Sequence, residues 1–368
     1  MTRSTCQITL VLATSTGGVG AHVAALTRGL LHSNWQVQVC GPTATDELFD
    51  FSGSGARFTP VPIAGAVRDP SAVIALRRAT AGTDIVHAHG LRAATVTAFT
   101  GRKPFVATWH NAVLDGGSRV RRLLSHGGER VAARSADVTL AASEDLADRA
   151  RELGGRDVRY GPVAISAANP RRSIPETRAA LGLAEHQRLI VSIGRLHRQK
   201  GHDVLIAAAA GWRDLDAVVV IAGDGPLESE LAAQINQTGA PVRLLGRRVD
   251  GADLLAAADV VVLASRWEAR SLAAQEALHA GRPLVATAVG GMPQLVGDGA
   301  VLVPAEDASA LEGAVRTLLL DPTASVALAA RGLARAAGWP TEADTLAQVT
   351  AVYAELLGRS AGHPGSSG

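Results

Sequence analysis

The sequence predicts an α/β protein built from two doubly wound domains in series. Short β-rich runs alternate with stretches of helical period along most of the chain. These runs are apolar on both faces, as strands of a parallel sheet must be when helices cover both sides. The length points the same way, because 368 residues at about 100–200 per domain fit two domains.

In the first half the predicted strands are 7–13, 36–40, 58–63, 84–87, 104–109 and 137–141. In the second half they are 188–193, 217–222, 242–245, 259–263 and 283–287. Between the halves, residues 163–175 are small, polar and broken by Pro170 and Pro175, which suits a linker. After the last strand come helical stretches 307–320 and 323–337. The helix should end at Trp339, since a residue before proline avoids the α region. This divides the chain into a first domain at 1–165, a linker at 166–182 and a second domain at 183–338. A last helix at 339–357 is expected to pack back on the first domain, and 358–368, rich in Gly and Ser, is expected to be a disordered tail.

Composition narrows the function. Hydrophobic residues are 47% and charged residues 19%, enough apolar material for two cores. Lys plus Arg number 36 against 34 Asp plus Glu, so no bulk charge points to a nucleic-acid partner. Aromatics at 3% leave little for stacking on bases. The two cysteines, Cys6 and Cys40, lie in strand-like runs and read as buried thiols of a reducing compartment. The opening apolar run is about eight residues long and reads as a first strand, not a signal peptide. A cytoplasmic location follows as the expectation. Only two lysines occur, Lys103 and Lys200; every other fixed positive side chain is Arg.

In doubly wound sheets ligands bind beyond the carboxyl ends of strands, so residues there are the candidates. Ser15-Thr16-Gly17-Gly18-Val19-Gly20 leaves the first strand and opens a helix, where glycines let backbone amides approach a phosphate. The spacing is not that of a dinucleotide fingerprint, and no acidic residue closes the second strand, so a tight turn is the competing reading. His87 and His89 share one face of a strand, and His110 ends the next. Without a third His or a carboxylate nearby in sequence, His87 and His89 are expected to line a polar pocket and not to hold a metal. His110 could bond a substrate hydroxyl or move a proton.

In the second half, Gly194-Arg195-Leu-His-Arg-Gln-Lys200-Gly201 follows a strand. Arg195 offers a planar fork and Lys200 a compact charge, a pair suited to a diphosphate; a solvated basic helix start is the alternative. Glu268 and Glu276 are eight residues apart, the first in a loop and the second in the helix after it. If the helix starts near Ser271, its free amides point at the same space as both carboxylates. Phosphate and polyol recognition together describe a nucleotide sugar. Asp214-Leu-Asp216 mimics a metal-binding Asp-x-Asp, but it precedes its strand and so falls at the wrong edge of the sheet.

Over nearly its whole length the chain resembles the family 4 retaining glycosyltransferases of the GT-B fold. The resemblance rests on Gly194-Arg195-Leu-x-x-x-Lys200-Gly201, Gly223-Asp-Gly-Pro226, Glu268-x7-Glu276 with Ala-Leu-x-Ala-Gly281-x-Pro283, and Gly290-Gly291-x-Pro293. Gly17-Gly18-Val19, His89 and His110 match more weakly. The resemblance implies two Rossmann-like domains facing a central cleft, the first on the acceptor side and the second binding the nucleotide sugar. It implies that Arg195 and Lys200 hold the donor diphosphate, Glu276 the ribose and Glu268 the sugar hydroxyls. Gly17 and Gly18 would let a loop approach the donor, and the amides around Ser271, Leu272 and Ala273 would touch phosphate or sugar. His110 would contact the donor sugar near the reacting carbon. Retention, no cofactor, no metal and a UDP-linked donor follow as expectations; the acceptor and the oligomeric state do not.

The chain departs from the family where members carry Glu-Gly-Phe-Gly and it has Glu268-Ala269-Arg270-Ser271, so Arg270 could meet an anion or point to solvent. Arg119, Arg121, Arg122, Arg130 and Arg134 form a basic stretch, read either as a solvated helix face or as a contact with an anionic membrane. The rival functions are a nucleotide-sugar epimerase or phosphorylase on the same architecture, or a non-catalytic sugar-binding protein. A phosphorylase would need a spare lysine for pyridoxal phosphate.

Overall fold

The computed structural model of the protein describes residues 6–15, 17–63, 70–111, 119–161, 163–164 and 169–361, with side chains described for all but 119–125, 360 and 361. The chain divides into two compact units, between Ala164 and Ile165 and again between Trp339 and Pro340. Each unit is built on one parallel sheet.

The strands of unit 1 are β1 Gln7–Leu12, β2 Gln36–Gly41, β3 Arg57–Pro60, β4 Ile85–His89, β5 Phe105–Trp109, β6 Val138–Ala141 and β7 Val158–Tyr160. They lie in the order β3-β2-β1-β4-β5-β6-β7, all parallel. Ile8, Leu10 and Leu12 of β1, with Ile85 of β4, Val106 of β5 and Val138 of β6, make one apolar layer with the helix Gly18–His32. The helix Glu342–Ala361 closes that layer with Val349, Val352, Tyr353 and Leu356. It runs through Gly358, so 358–361 continue the helix where the sequence reading expected a disordered tail; 362–368 lie outside the described residues. Cys40 is buried and Cys6 half-buried, both free thiols; burial pushes the Cys40 thiol up to about 11.

The strands of unit 2 are β8 Arg188–Ile193, β9 Ala217–Ala222, β10 Val242–Leu244, β11 Val260–Leu263, β12 Leu284–Thr287 and β13 Val301–Val303, in the order β10-β9-β8-β11-β12-β13, again all parallel. The two-residue period of a strand separates two apolar faces. Ile190, Val219, Ile221, Val260, Val262 and Val285 face one helical layer; Leu189, Val191, Val218, Val220, Val261 and Leu284 face the other. Residues 174–180, part of the expected linker, instead form the helix Ile174–Ala180, held by a capping box in which Ser173 and Glu176 bond each other's backbone.

Both strand orders reverse direction at one point, between β1 and β4 in unit 1 and between β8 and β11 in unit 2. Loops leaving the carboxyl ends of two such strands part to opposite faces and leave a crevice. Gly17 and Gly18 follow β1, Arg195 and Lys200 follow β8, and Glu268 follows β11.

Candidate active site

In unit 2 the loop after β8 and the loop after β11 meet through one ion pair. Lys200 Nζ lies 2.5 Å from Glu268 Oε1, with the Lys side chain 24% and the Glu side chain 8% exposed. Ser265 Oγ donates to the same oxygen at 2.7 Å, and Thr287 bonds the Ser265 carbonyl in turn. Glu268 Oε2 takes no partner among the described residues, so it stays available to a hydroxyl.

The backbone around this pair is set by glycines. Gly201 has φ +62°, and a Cβ there would sit 1.9 Å from the Ala264 carbonyl. Gly290 has φ +51°, and a Cβ there would sit 2.1 Å from the Glu268 carbonyl, which accepts the Gly291 amide at 2.8 Å. Glycine is required at both places because the conformation and the space each exclude a side chain. The Gly290-Gly291 motif thus fixes the position of Glu268.

Arg266 is a second buttress. Its fork meets both Asp203 oxygens at 2.7 and 2.8 Å, one Glu306 oxygen at 2.9 Å and the Arg198 carbonyl at 2.7 Å. The guanidinium holds the Asp203 carboxyl below its usual range. Arg266 therefore ties the 198–200 turn to the loop that carries Glu268.

The helix Leu272–His279 begins where the sequence predicts. Ser271 is its N-cap, accepting the Ala274 amide at 3.4 Å. The amides of Leu272 and Ala273 have no acceptor among the described residues, which leaves them for a ligand. Glu276, on the next turn, has no side-chain partner among the described residues, and burial raises its carboxyl above the usual value. His202, two residues after Lys200, is 3% exposed; burial lowers it to about 4, so it is neutral at neutral pH. Arg195 is exposed at the mouth of the same loop.

Arg270 is half-buried, and its guanidinium carbon lies 5.7 Å from the centroid of the Trp339 ring. Trp339 is anchored by its own Nε1, which donates to the Leu295 carbonyl at 3.2 Å, and by an edge contact with His279. The Asp214 carboxylate is occupied by the Arg316 fork at 2.8 and 3.0 Å, at the amino edge of the sheet.

In unit 1 the glycine loop opens the helix Gly18–His32, with Gly17 as N-cap and the Gly20 amide bonded to Ser15 Oγ at 3.0 Å. A Cβ on Gly20 would strike the Phe49 ring at 2.1 Å, whereas one on Gly17 would meet nothing within 4 Å. Packing therefore demands glycine at 20 and leaves the space over Gly17 open. Thr16 and 112–118 lie outside the described residues, as do the side chains of Arg119, Arg121 and Arg122.

Four histidines gather at the carboxyl ends of β4 and β5 and on the first helix. His87 bonds Tyr353 Oη at 2.7 Å and Thr108 Oγ1 at 2.6 Å, which occupies both its ring nitrogens. His89 packs against it at a tilt, with centroids 4.1 Å apart, and places Nδ1 3.3 Å from His110 Nε2. His22 packs edge-on against His89 and His110 at 5.5 and 5.2 Å. Burial, with repulsion among the rings, holds His89 and His110 well below the usual histidine value; burial alone lowers His22 to about 4.

Residues 17–164 match the family described as glycosyl transferase 4-like domain, and residues 173–335 match glycosyl transferases group 1. The chain is 32% identical over 323 residues to D-inositol 3-phosphate glycosyltransferase 1 of Catenulispora acidiphila, covering 78% of this chain and 76% of that one. It belongs to the family 4 glycosyltransferases. Its fold is that of HepE from Anabaena, solved with UDP-glucose, at TM-score 0.82 and 21% identity over 95% of this chain and 100% of that one. Sucrose-phosphate synthase of Thermosynechococcus elongatus shares the fold at TM-score 0.80 and 20% identity, over 96% of this chain and 100% of that one. These neighbours are GT-B glycosyltransferases, which makes this a GT-B chain.

Two features of this glycosyltransferase escaped the sequence reading. Ser265, Arg266 and Trp339 act through tertiary contacts that no local pattern announces. His22 sits four residues into a helix behind the glycine loop, where a lone histidine on an apolar face reads as core. The absence of a third His near His89 in sequence is made good by the fold, since His22 and His110 come from other elements.

Proposed function

We propose that this glycosyltransferase moves a sugar, with retention of configuration, from a UDP-linked donor to an acceptor. The observation that carries the reading is the Lys200–Glu268 pair at the switch point of unit 2, set beside two unused helix amides and the unpaired Glu276 carboxylate. One crevice thus offers a cation and amides for phosphate, and two carboxylates for hydroxyls. The solved neighbour that holds UDP-glucose supports UDP as the nucleotide.

In this reading, cleavage of the glycosyl phosphate bond builds negative charge on the leaving UDP. Lys200 and Arg195 stabilise that charge as it grows, so the donor chemistry needs no metal. Glu276 accepts from the ribose, and Glu268 Oε2 from the transferred sugar while Oε1 holds Lys200. His110 contacts the donor sugar, and Gly17 and Gly18 admit the donor past their loop.

A pyridoxal-dependent phosphorylase is disfavoured by one observation. Lys103, the other lysine, bonds Asp137 at 2.7 Å at the amino end of β5, away from the ligand edge of the sheet. A melting-temperature screen with UDP, GDP, ADP and TDP sugars tests the proposal, since a ligand bound only by the folded state raises the midpoint. The largest rise is expected with a UDP sugar. No rise with any of the four would overturn the reading.

A further inference from the structure

Three of the four clustered histidines of unit 1 are placed as ligands to one ion would be. One ring nitrogen from each of His22, His89 and His110 lies within 4.8 Å of those of the other two. One pair, His89 Nδ1 and His110 Nε2, is 3.3 Å apart. Nitrogens at about 2.0–2.1 Å from a tetrahedral zinc stand about 3.3–3.4 Å from each other, so this pair already has the separation of two metal ligands.

We propose that His22, His89 and His110 form a binding site for one divalent cation of zinc type, and that an occupied site withdraws His110 from the donor sugar. Three imidazoles and no carboxylate favour zinc and its borderline neighbours over magnesium or calcium. Three protein ligands leave a fourth position for water or an anion. The fourth histidine, His87, is not a ligand because Tyr353 and Thr108 use both its nitrogens; it packs against His89 and fixes that ring. His22 also lines a pocket of about 370 Å³ with Arg28, His32 and Glu342. The withdrawal of His110 rests on the donor-contact reading above; the metal site does not.

The test begins with zinc titrated by calorimetry into the metal-stripped full chain, with no nucleotide present. One ion per chain is expected, and His22→Gln and His89→Gln should each weaken it at least tenfold, while His186→Gln, an exposed position in unit 2, should not. Cobalt bound at the site should show the intense visible absorption of a four-coordinate ion. Should His89→Gln fail to fold, His22→Gln decides. No stoichiometric binding, undiminished binding in His22→Gln, or only the weak absorption of octahedral cobalt would overturn the site. Zinc should then suppress turnover, and a chelator restore it; binding without inhibition would overturn the withdrawal of His110. A chain that binds zinc but transfers no sugar would count against the glycosyl-donor reading and leave the metal site standing.

Discussion

Lys200 and Glu268 are 68 residues apart in sequence and form a 2.5 Å ion pair across the switch point of the second sheet. Each comes from the loop after one of two adjacent parallel strands, β8 and β11. The pair therefore marks where donor charge should be met, and it already holds the lysine in place before a donor arrives. Removing Lys200 should act on the transition state more than on the fold. Lys200→Ala should lower kcat by about 10²–10³-fold, the range for loss of one preorganised charge-stabilising group. Circular dichroism should be unchanged, and a kcat within threefold of the parent would count against the role.

Gly290 and Glu268 give a stability prediction. A side chain at 290 must adopt φ +51° and displace the Glu268 carbonyl. Gly290→Ala should cost about 1–3 kcal/mol from the backbone conformation alone, and more from the clash. It should also lower kcat, because Glu268 and Lys200 move together. Denaturant unfolding followed by intrinsic fluorescence reads the first effect; a variant as stable as the parent would refute the packing argument.

Arg270 replaces the aromatic residue common in the family, and its guanidinium faces the Trp339 ring. Arg270→Ala should therefore reduce stability by about 0.5–1 kcal/mol, the scale of a partly exposed cation–π contact. Its donor KM should stay within about twofold. A tenfold rise in KM would place Arg270 on the donor instead.

Glu276 carries the pH dependence. Burial raises its folded-state carboxyl above 4.5, so the folded protein favours the protonated form. Stability from this group is complete below the unfolded value and is lost as pH rises through the folded one. Ribose hydroxyls need the ionised acceptor, so UDP affinity should change in the opposite sense, rising with pH across that window. Glu276→Gln should bind UDP more weakly and without this rise. A titration series of UDP against pH distinguishes the two; an identical profile in the variant would exclude Glu276 as the group.

Much of this architecture was legible because a buried parallel sheet leaves a plain mark. Runs such as Leu189-Ile190-Val191 are apolar on both faces, and each predicted run became a strand or most of one. The three-residue edge strands β7 and β13 were missed, whereas β10, equally short, was read at 242–245. Glycines were informative where they made room, as at Gly201 and Gly290. The helix start at Ser271 was legible from its capping residue. Arg270 could not be placed, because its partner Trp339 is 69 positions away and becomes adjacent only when the helix Pro322–Ala337 packs on Leu272–His279. His22 was invisible for the same reason, its neighbours being supplied by β4 and β5.

The most direct test of the donor site is calorimetric titration of UDP into the parent chain, Lys200→Ala and Glu276→Ala, with each variant first shown to keep the parent's circular dichroism. The account predicts one UDP per parent chain and at least tenfold weaker binding in both variants. Equal affinity in all three chains would contradict it.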